Sequence, residues 1–565
     1  MVLKIDGHVI DARPGQSLLD LVRELGLDSN KLSERPLAAK LAGEIFSLNY
    51  IPVRKKDSEP DRNSIRRAMA ASDGNVTLLR YSDPAGRDLY ARSAQFMLFL
   101  ALHRLWPGSR AKMNCLIGNA LYIEVRDDTF SVELLRSELE ELVHMDAPLV
   151  RKRMPISDAV QHYQKAGLED KARLLSWRKQ DYFDVYAHED FVDYFYGELV
   201  PSMSYLQVWN ILPAQNGFMF LYPDDTDPNI VSKYVEMPKF FQVSDEGERW
   251  CELMHCESVA DLNGLVESGK IRELIRINEA LHEKRYSQIA DMICKKGAKA
   301  IMLSGPSSSG KTTSANRLAT QLRVQGKKPI LMSLDDYYLD RDTILPGPDG
   351  TLDLEHINTI DAQLFREHLC QLLDGKTVEL PTFNFKTGKR EWHGEYLQLT
   401  DESIIIVEGL HALNPLMLPE ALDPQLVFRM YVSPLLPLNL DDHNRIPTSL
   451  LRLLRRIVRD YETRGASVEK TMQMWDSVRR GEKIWIFPFQ EHADVIFNSS
   501  TLYELSVLKK YIFPLLLAVQ PEESCYDEVR RIVKILNYVL DADVDDEIPP
   551  TSLVREFIGG NSFYK

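Results

Sequence analysis

Hydrophobic and polar positions follow two different rhythms along this chain, and the change comes near Ala298. At the N-terminus, VLKIDGHVIDA alternates as a hairpin does, while SLLDLVRELGL has helical apolar spacing with Ser17 placed to cap it. LAAKLAGEIFSLNYIP then returns to strand, so the first sixty residues read as a small α+β unit. The polar run RKKDSEPDRNS (54–64) marks a linker or exposed turn and puts a boundary at residue 62. Beyond it, DLYARSAQFMLFLALHRLWPG predicts an apolar-striped helix stopped by Pro107 and Gly108, and LLRSELEELVHM a second helix. Residues 63–230 are expected to form a helix-rich α+β domain. Residues 231–297, with a charged helical run from Val259 to Lys296, are expected to form a helical connector.

From Ala298 onward apolar strands alternate with helices, the pattern of a parallel sheet with crossover helices. AKAIMLS, KPILMSL and ESIIIVEG read as buried strands, and HADVIFNSS as the last strand of the same sheet. An α/β domain is therefore expected over 298–520, followed by a C-terminal helix and tail over 521–565. The fold class predicted is multidomain, α+β in front and α/β behind.

At 565 residues the chain is too long for one hydrophobic core. Its 44% hydrophobic and 27% charged residues fit an ordinary soluble globular protein. No run approaches the roughly 20 apolar residues needed to span a bilayer, and the N-terminus lacks a signal-peptide pattern, so a cytoplasmic address and no membrane partner are expected. Six cysteines without regular spacing do not form a disulfide framework. A net charge of −15 argues against indiscriminate nucleic-acid binding.

GPSSSGKT, from Gly305 to Thr312, fits G-x-x-x-x-G-K-[ST] without a mismatch, which chance gives in a chain this long about once in fifty. The loop follows a strand and opens the helical run KTTSANRLATQLRVQG. Backbone N–H groups from Gly305, Ser307, Ser308, Ser309, Gly310 and Thr313 are candidates to surround phosphate oxygens at a helix N-terminus. Lys311 is expected at the β/γ-phosphates of ATP, and Thr312 on Mg²⁺.

In an open parallel sheet, ligands gather at the carboxyl ends of the strands. SLDDYYLD places Asp335 there, suited to ligate Mg²⁺ or to take a proton from an attacking hydroxyl, whereas Asp336 suits a turn cap. Glu408 ends the third strand at the same edge. In RLLRRIVRDYETRG, Arg452, Arg455, Arg456 and Arg459 share one sector of a helix, an arrangement for a cationic lid over phosphoryl oxygens.

Together these motifs resemble the uridine kinase and phosphoribulokinase family of P-loop kinases over about residues 298–515. The resemblance implies that Asp335 is the general base and, with Thr312 and Glu408, serves Mg²⁺. It places Arg456, Arg459 and Arg464 on the lid or the substrate side, and Tyr338 beside the acceptor. DLEHINTID resembles the family's ribose-holding segment, with Glu355 where aspartate is usual and His356 beside it. PTFNFKTGKR resembles its base-binding segment, with Phe383 in place of tyrosine and Gly388 in place of histidine. Phe383 and Phe385 are left to stack on a base or to join the core.

The front half resembles other families. Residues 1–62 look like a TGS domain of β-grasp fold, and 63–230 like the editing domain of threonyl-tRNA synthetase. At that domain's zinc-ligand positions stand Arg92, Phe96, Phe195 and Leu199, none of which supplies the usual imidazole or thiolate. Cys251, His255 and Cys256 in CELMHC lack the second half of a zinc motif, and His103 and His188 suit structural or exposed places. Trp475 and Trp485 are expected to pack under the lid. The tail IPPTSLVREFIGGNSFYK is distinctive without a function to explain it.

The expectation is an ATP- and Mg²⁺-dependent kinase of a nucleoside 5′-hydroxyl, uridine or cytidine first. The alternatives are a purine nucleoside or phosphorylated sugar as acceptor, or a nucleotide-switched RNA-binding protein with tRNA as partner. Homo-oligomerisation is left open.

Overall fold

The computed structural model describes residues 1–41, 43–52, 74–178, 181–344 and 355–563. The linker predicted at 54–64 and Asp353 lie outside the described residues. No helix among the described residues is long and apolar enough to cross a membrane.

The hairpin Val2–Ile5/His8–Asp11 and the helix Leu18–Glu24 form as read, with Ser17 and Asp20 in a reciprocal capping box. The boundary at residue 62 does not hold. Strand Asn75–Leu79 inserts in the middle of the first sheet, parallel to Val2–Ile5 and antiparallel to Ala38–Leu41. A strand with partners on both sides completes a core that residues 1–62 leave open.

The next region is less helical than its apolar stripes suggested. The helix Pro84–Leu105 is nearly enclosed, and Val132–Met145 flanks it. Around them lie a four-stranded antiparallel sheet from residues 110–126 and 210–221 and a three-stranded one from 151–155 and 182–193. Phe96, Phe195 and Leu199 share one apolar cluster, with the Phe96 and Phe195 rings 6.3 Å apart.

The predicted helical connector is three helices, Pro238–Leu253, Val259–Glu267 and Ile271–Lys296; the break falls at Gly269, whose φ of +72° ends the second. They belong to the layers they cover. Tyr286, Ile289 and Ile293 pack against Ile301 and Leu303 of the parallel sheet and Leu318 of the next helix. Arg317 donates to Glu279 and Glu283 across the same seam at 3.2 and 2.9 Å. Cys251 and Cys256 are buried in the apolar core.

The parallel sheet runs, in spatial order, Lys328–Ser333, Ser403–Glu408, Ala300–Ser304, Val427–Ser433 and Val495–Asn498. Helix Lys311–Val324 follows the central strand on one face, while Ala362–Leu373 covers the other with Phe365 and Leu369. Between the fourth and fifth strands the chain leaves the sheet. A short hairpin, Asn439–Asp441/Asn444–Arg445, reaches into the front half before Thr448–Arg464 returns as the lid helix.

That hairpin is the joint between the halves. Lys171 Nζ lies 2.7 Å from Asp193 Oδ1 and 2.9 Å from Asp441 Oδ1, all three side chains fully buried. The His443 Nδ1 is 2.6 Å from Asp193 Oδ2, and its ring stacks on Phe99 at 3.7 Å. Arg110 grips Asp442 through two nitrogens at 2.7 and 3.0 Å. Burial and this cation pull in opposite directions on Asp193, and Lys171 with His443 wins, holding its carboxyl at about 2.

Candidate active site at the carboxyl edge of the parallel sheet

The phosphate loop turns tightly because its glycines allow it. A Cβ on Gly305 would fall 2.1 Å from the Val432 carbonyl of the neighbouring strand, and Gly310 sits at a φ of +86°. The helix then starts at Lys311 without a side-chain cap from Gly310, so first-turn N–H groups face outward for an anion. Lys311 Nζ rests 3.1 Å from its own loop carbonyl at Pro306. Burial pushes its ammonium pKa down, while Glu408, Asp335 and Glu556 oppose the shift.

Two carboxylates act on this lysine from adjoining strand ends, and a hydroxyl of the loop helix joins one of them. Ser333 pairs in register with Glu408, so Asp335, two residues past the strand end, comes to the same edge. Thr312 Oγ1 donates to Glu408 Oε1 at 3.2 Å. Burial, with Asp335 adding to it, lifts the Glu408 carboxyl to about 7. Burial also raises Asp335, against the pull of Lys311 and Arg464. One hydroxyl and two carboxylates are the hard-oxygen donors Mg²⁺ takes while keeping positions for phosphate and water, so the residues fit that ion.

Asp336 turns away, as its expected structural role requires, but its Oδ1 accepts the Phe383 N–H at 3.1 Å and so ties on the hairpin Val378–Asn384/Lys389–Leu397 instead of capping its own turn. On the acceptor side, burial with Glu482 nearby raises Glu355 to about 7. Tyr338 is raised by burial and by Asp335, Glu355 and Glu408. His356 accepts the Asn358 N–H through Nδ1 at 3.1 Å and meets Trp485 edge-on at 4.6 Å. Phe383 is 6% exposed and Phe385 55%, with their rings 5.2 Å apart. Phe383 is thus a core residue, and the Phe385 ring is left exposed. Gly388, at a φ of +70°, lies under Arg341, whose Cδ would be 2.6 Å from an added Cβ.

The lid arginines divide by partner. Arg455 makes a two-point pair with Glu504 at 2.8 and 3.0 Å, and Arg452 does the same with Glu482. Both are paired with buried carboxylates and brace the loop, a correction to the expectation that all four arginines of the sector form a cationic lid. Arg456 Nη1 donates to Ser307 Oγ at 2.9 Å. Arg459 and Arg464 reach Asp460 at 3.6 and 3.2 Å, with Arg464 largely exposed. Trp475 lies under the lid, 5.3 Å from the Arg452 guanidinium. Sequence reasoning missed Glu482, which accepts the Ser307 N–H at 2.8 Å, and Glu556, which accepts Thr313 Oγ1–H at 2.7 Å. Only the unexplained tail pointed toward the second.

A phosphate loop after the central strand of a parallel sheet, with its lysine, hydroxyl and two strand-end carboxylates, defines a P-loop phosphotransferase. Residues 300–506 match the Phosphoribulokinase / Uridine kinase family. The uridine kinase of Aliivibrio salmonicida (strain LFI1238) is 31% identical over 221 residues, 38% of this chain and 94% of that protein. The uridine kinase of Brevibacillus brevis is 29% identical over 197 residues, 35% of this chain and 82% of that protein. A solved chain described as a possible uridine kinase from Bacillus stearothermophilus is 20% identical, covering 37% of this chain and 96% of its own length at a TM-score of 0.25. The chain belongs, through this C-terminal region, to the phosphoribulokinase/uridine kinase family, and is a phosphotransferase acting on a hydroxyl group.

Proposed function

We propose that the chain transfers the γ-phosphoryl group of ATP to the 5′-hydroxyl of a ribonucleoside. The observation that carries this reading is Asp335, half-buried at the strand edge in the field of Lys311 and of Glu408's neighbouring carboxylate. A carboxylate so placed takes the proton of an incoming hydroxyl as its oxygen bonds to phosphorus. Lys311, Arg456 and Arg459 neutralise charge on the phosphates, and the loop amides orient them. Thr312, Asp335 and Glu408 would hold Mg²⁺, which supplies charge neutralisation across the phosphates when bound. Phe385 is the stacking face for a base, and Glu355 and His356 lie where a ribose would be held.

The acceptor is the part most open to a second reading. Gly388 carries no side chain and Arg341 closes over it, so no polar group from that position reads a pyrimidine edge. A purine nucleoside or phosphorylated sugar fits that absence equally well. ATP consumption against ribonucleosides, deoxyribonucleosides and phosphorylated sugars, beside the Asp335→Asn variant, separates these acceptors; a silent panel with intact ATP binding would overturn the kinase reading.

For the front half we propose a TGS-like β-grasp unit, supported by the sheet order 2-1-5-3-4 in chain sequence, and an editing-like unit without zinc chemistry. The latter rests on Phe96, Phe195 and Leu199 packing as an apolar cluster where that chemistry needs ligands.

A further inference from the structure

A cleft of about 2270 Å³ lies between the front half and the helix Tyr526–Leu536. Arg92 of the helix Pro84–Leu105 lines one wall, and Arg530, Arg531 and Lys534 line the other. Lys534 shares a helix face with both arginines by its four- and three-residue spacing. Three neighbouring cations are already answered by carboxylates. Arg530 lies 3.4 Å from Glu44, Arg531 makes a two-point pair with Glu528, and Arg151 Nη1 is 2.5 Å from Glu198 Oε1. Arg92 and Lys534 are not. Among the described residues neither forms an ion pair, and the Lys534 ammonium makes no hydrogen bond.

Backbone shape makes the place for Arg92. At Gly197, with a φ of +142°, a Cβ would fall 2.8 Å from the Arg92 Cζ, so only glycine lets the guanidinium lie against the chain there. Its Nη2 donates to the Glu198 carbonyl at 3.4 Å, while its Nε is buried and meets no acceptor. Burial lowers the Arg92 pKa, with Asp88 one turn earlier opposing the shift and Arg531 adding to it. Lys534 opens onto the cleft, yet the protein around it also lowers its pKa, helped by Arg530 and Arg151 and opposed by Glu198 and Asp184. Two cations on opposite walls, both partly desolvated and short of counter-charge, are relieved by an anion that reaches both. A phosphate group suits them, because its several terminal oxygens accept from a guanidinium fork and an ammonium at once.

We infer that this cleft is a second phosphate site, apart from the phosphate loop, in which Arg92 of the front half and Lys534 of the helix behind hold the phosphate group of a small nucleotide or a free phosphate ion. Lys311→Met removes the charge of the loop, so calorimetric titration of that full-length variant with uridine monophosphate, adenosine monophosphate and inorganic phosphate reads the cleft. Binding is expected to persist there and to weaken about tenfold when Lys534→Gln or Arg92→Gln is added. Lys534→Arg, which keeps the charge, is expected to retain it. Uridine and adenosine, which carry no phosphate, are expected to show no difference among these variants. Lys534 holds no partner within the fold, so Lys534→Gln tests the site even where Arg92→Gln fails to fold. Tighter binding of a monophosphate than of inorganic phosphate assigns the ester, and equal affinities assign the free ion. Absence of phosphate-dependent binding in Lys311→Met, or binding indifferent to Lys534→Gln, would overturn the site and leave the kinase reading standing.

Discussion

Arg452 and Glu482 meet beneath the phosphate loop in a two-point ion pair, at 2.5 and 2.8 Å, and the same Glu482 Oε1 accepts the Ser307 N–H. The lid helix is thus fastened to the loop through a buried carboxylate. Glu482→Ala would strand the guanidinium away from water, a loss of about 3–5 kcal/mol. Pairing Arg452→Met with Glu482→Leu is expected to recover most of that stability in denaturant melts. It is not expected to recover ATP affinity, because the lid helix is no longer fastened to the loop at Ser307.

Asp335→Asn is expected to lower turnover about 10²–10⁴-fold and to leave ATP binding in place. Stopped assays and nucleotide titration on one preparation separate the two, and an unchanged rate would remove Asp335 from the mechanism. Its carboxyl is raised by burial, and the base acts only when ionised.

Phe383 and Phe385 are neighbours with opposite fates. Phe383→Ala is expected to cost about 3–5 kcal/mol of stability. Phe385→Ala is expected to leave the melting temperature alone and to raise the acceptor KM roughly 10- to 100-fold, as a lost stacking face would. Equal acceptor KM values for wild type and Phe385→Ala would place the base elsewhere.

At the joint between the halves, Lys171→Met would leave Asp193 and Asp441 without their shared cation. A loss of about 3–5 kcal/mol is expected, together with separation of a single unfolding transition into two as the halves uncouple.

Asp527, in the first turn of the helix Tyr526–Leu536, lies near Glu44 of the front sheet, where burial, with Glu44 adding to it, raises its carboxyl to about 7. In the unfolded chain it ionises near the ordinary aspartate value, so between those two pKa values the folded state binds the extra proton. Its contribution to stability accordingly falls as pH rises through that window. Asp527→Asn is expected to raise the melting temperature by roughly 2 °C at pH 8 and to leave it unchanged near pH 3. A rise at both pH values would assign the effect to packing.

The phosphate loop, Asp335 and Glu408 were legible because their chemistry fixes residue type within a few positions. Asn75–Leu79 was not, since a long polar run separates it from the strands it joins. The strands at 110–126 carry charged residues on a face that other elements cover, which blurs their alternation. Glu482 and Glu556 lie 175 and 243 residues from the loop groups they hold, a distance at which no local pattern can speak. Phe383 and Phe385 share a period-two face on paper, but the strand ends at Asn384 and only the first ring is covered.

The hairpin at Asn439–Arg445 also governs how the molecule can be divided. Cutting at residue 298, where the rhythm of the sequence changes, would release a piece carrying Asp441, Asp442 and His443 on a projecting finger, stripped of Lys171, Arg110 and Phe99. Its severed contacts would include the Asn439 bond to the Met113 carbonyl at 2.7 Å. The strand of chain that begins the lid would lose its anchor at the same stroke. Recombination that swapped the front half for another would have to supply a matching socket, so the two halves are bound to change together.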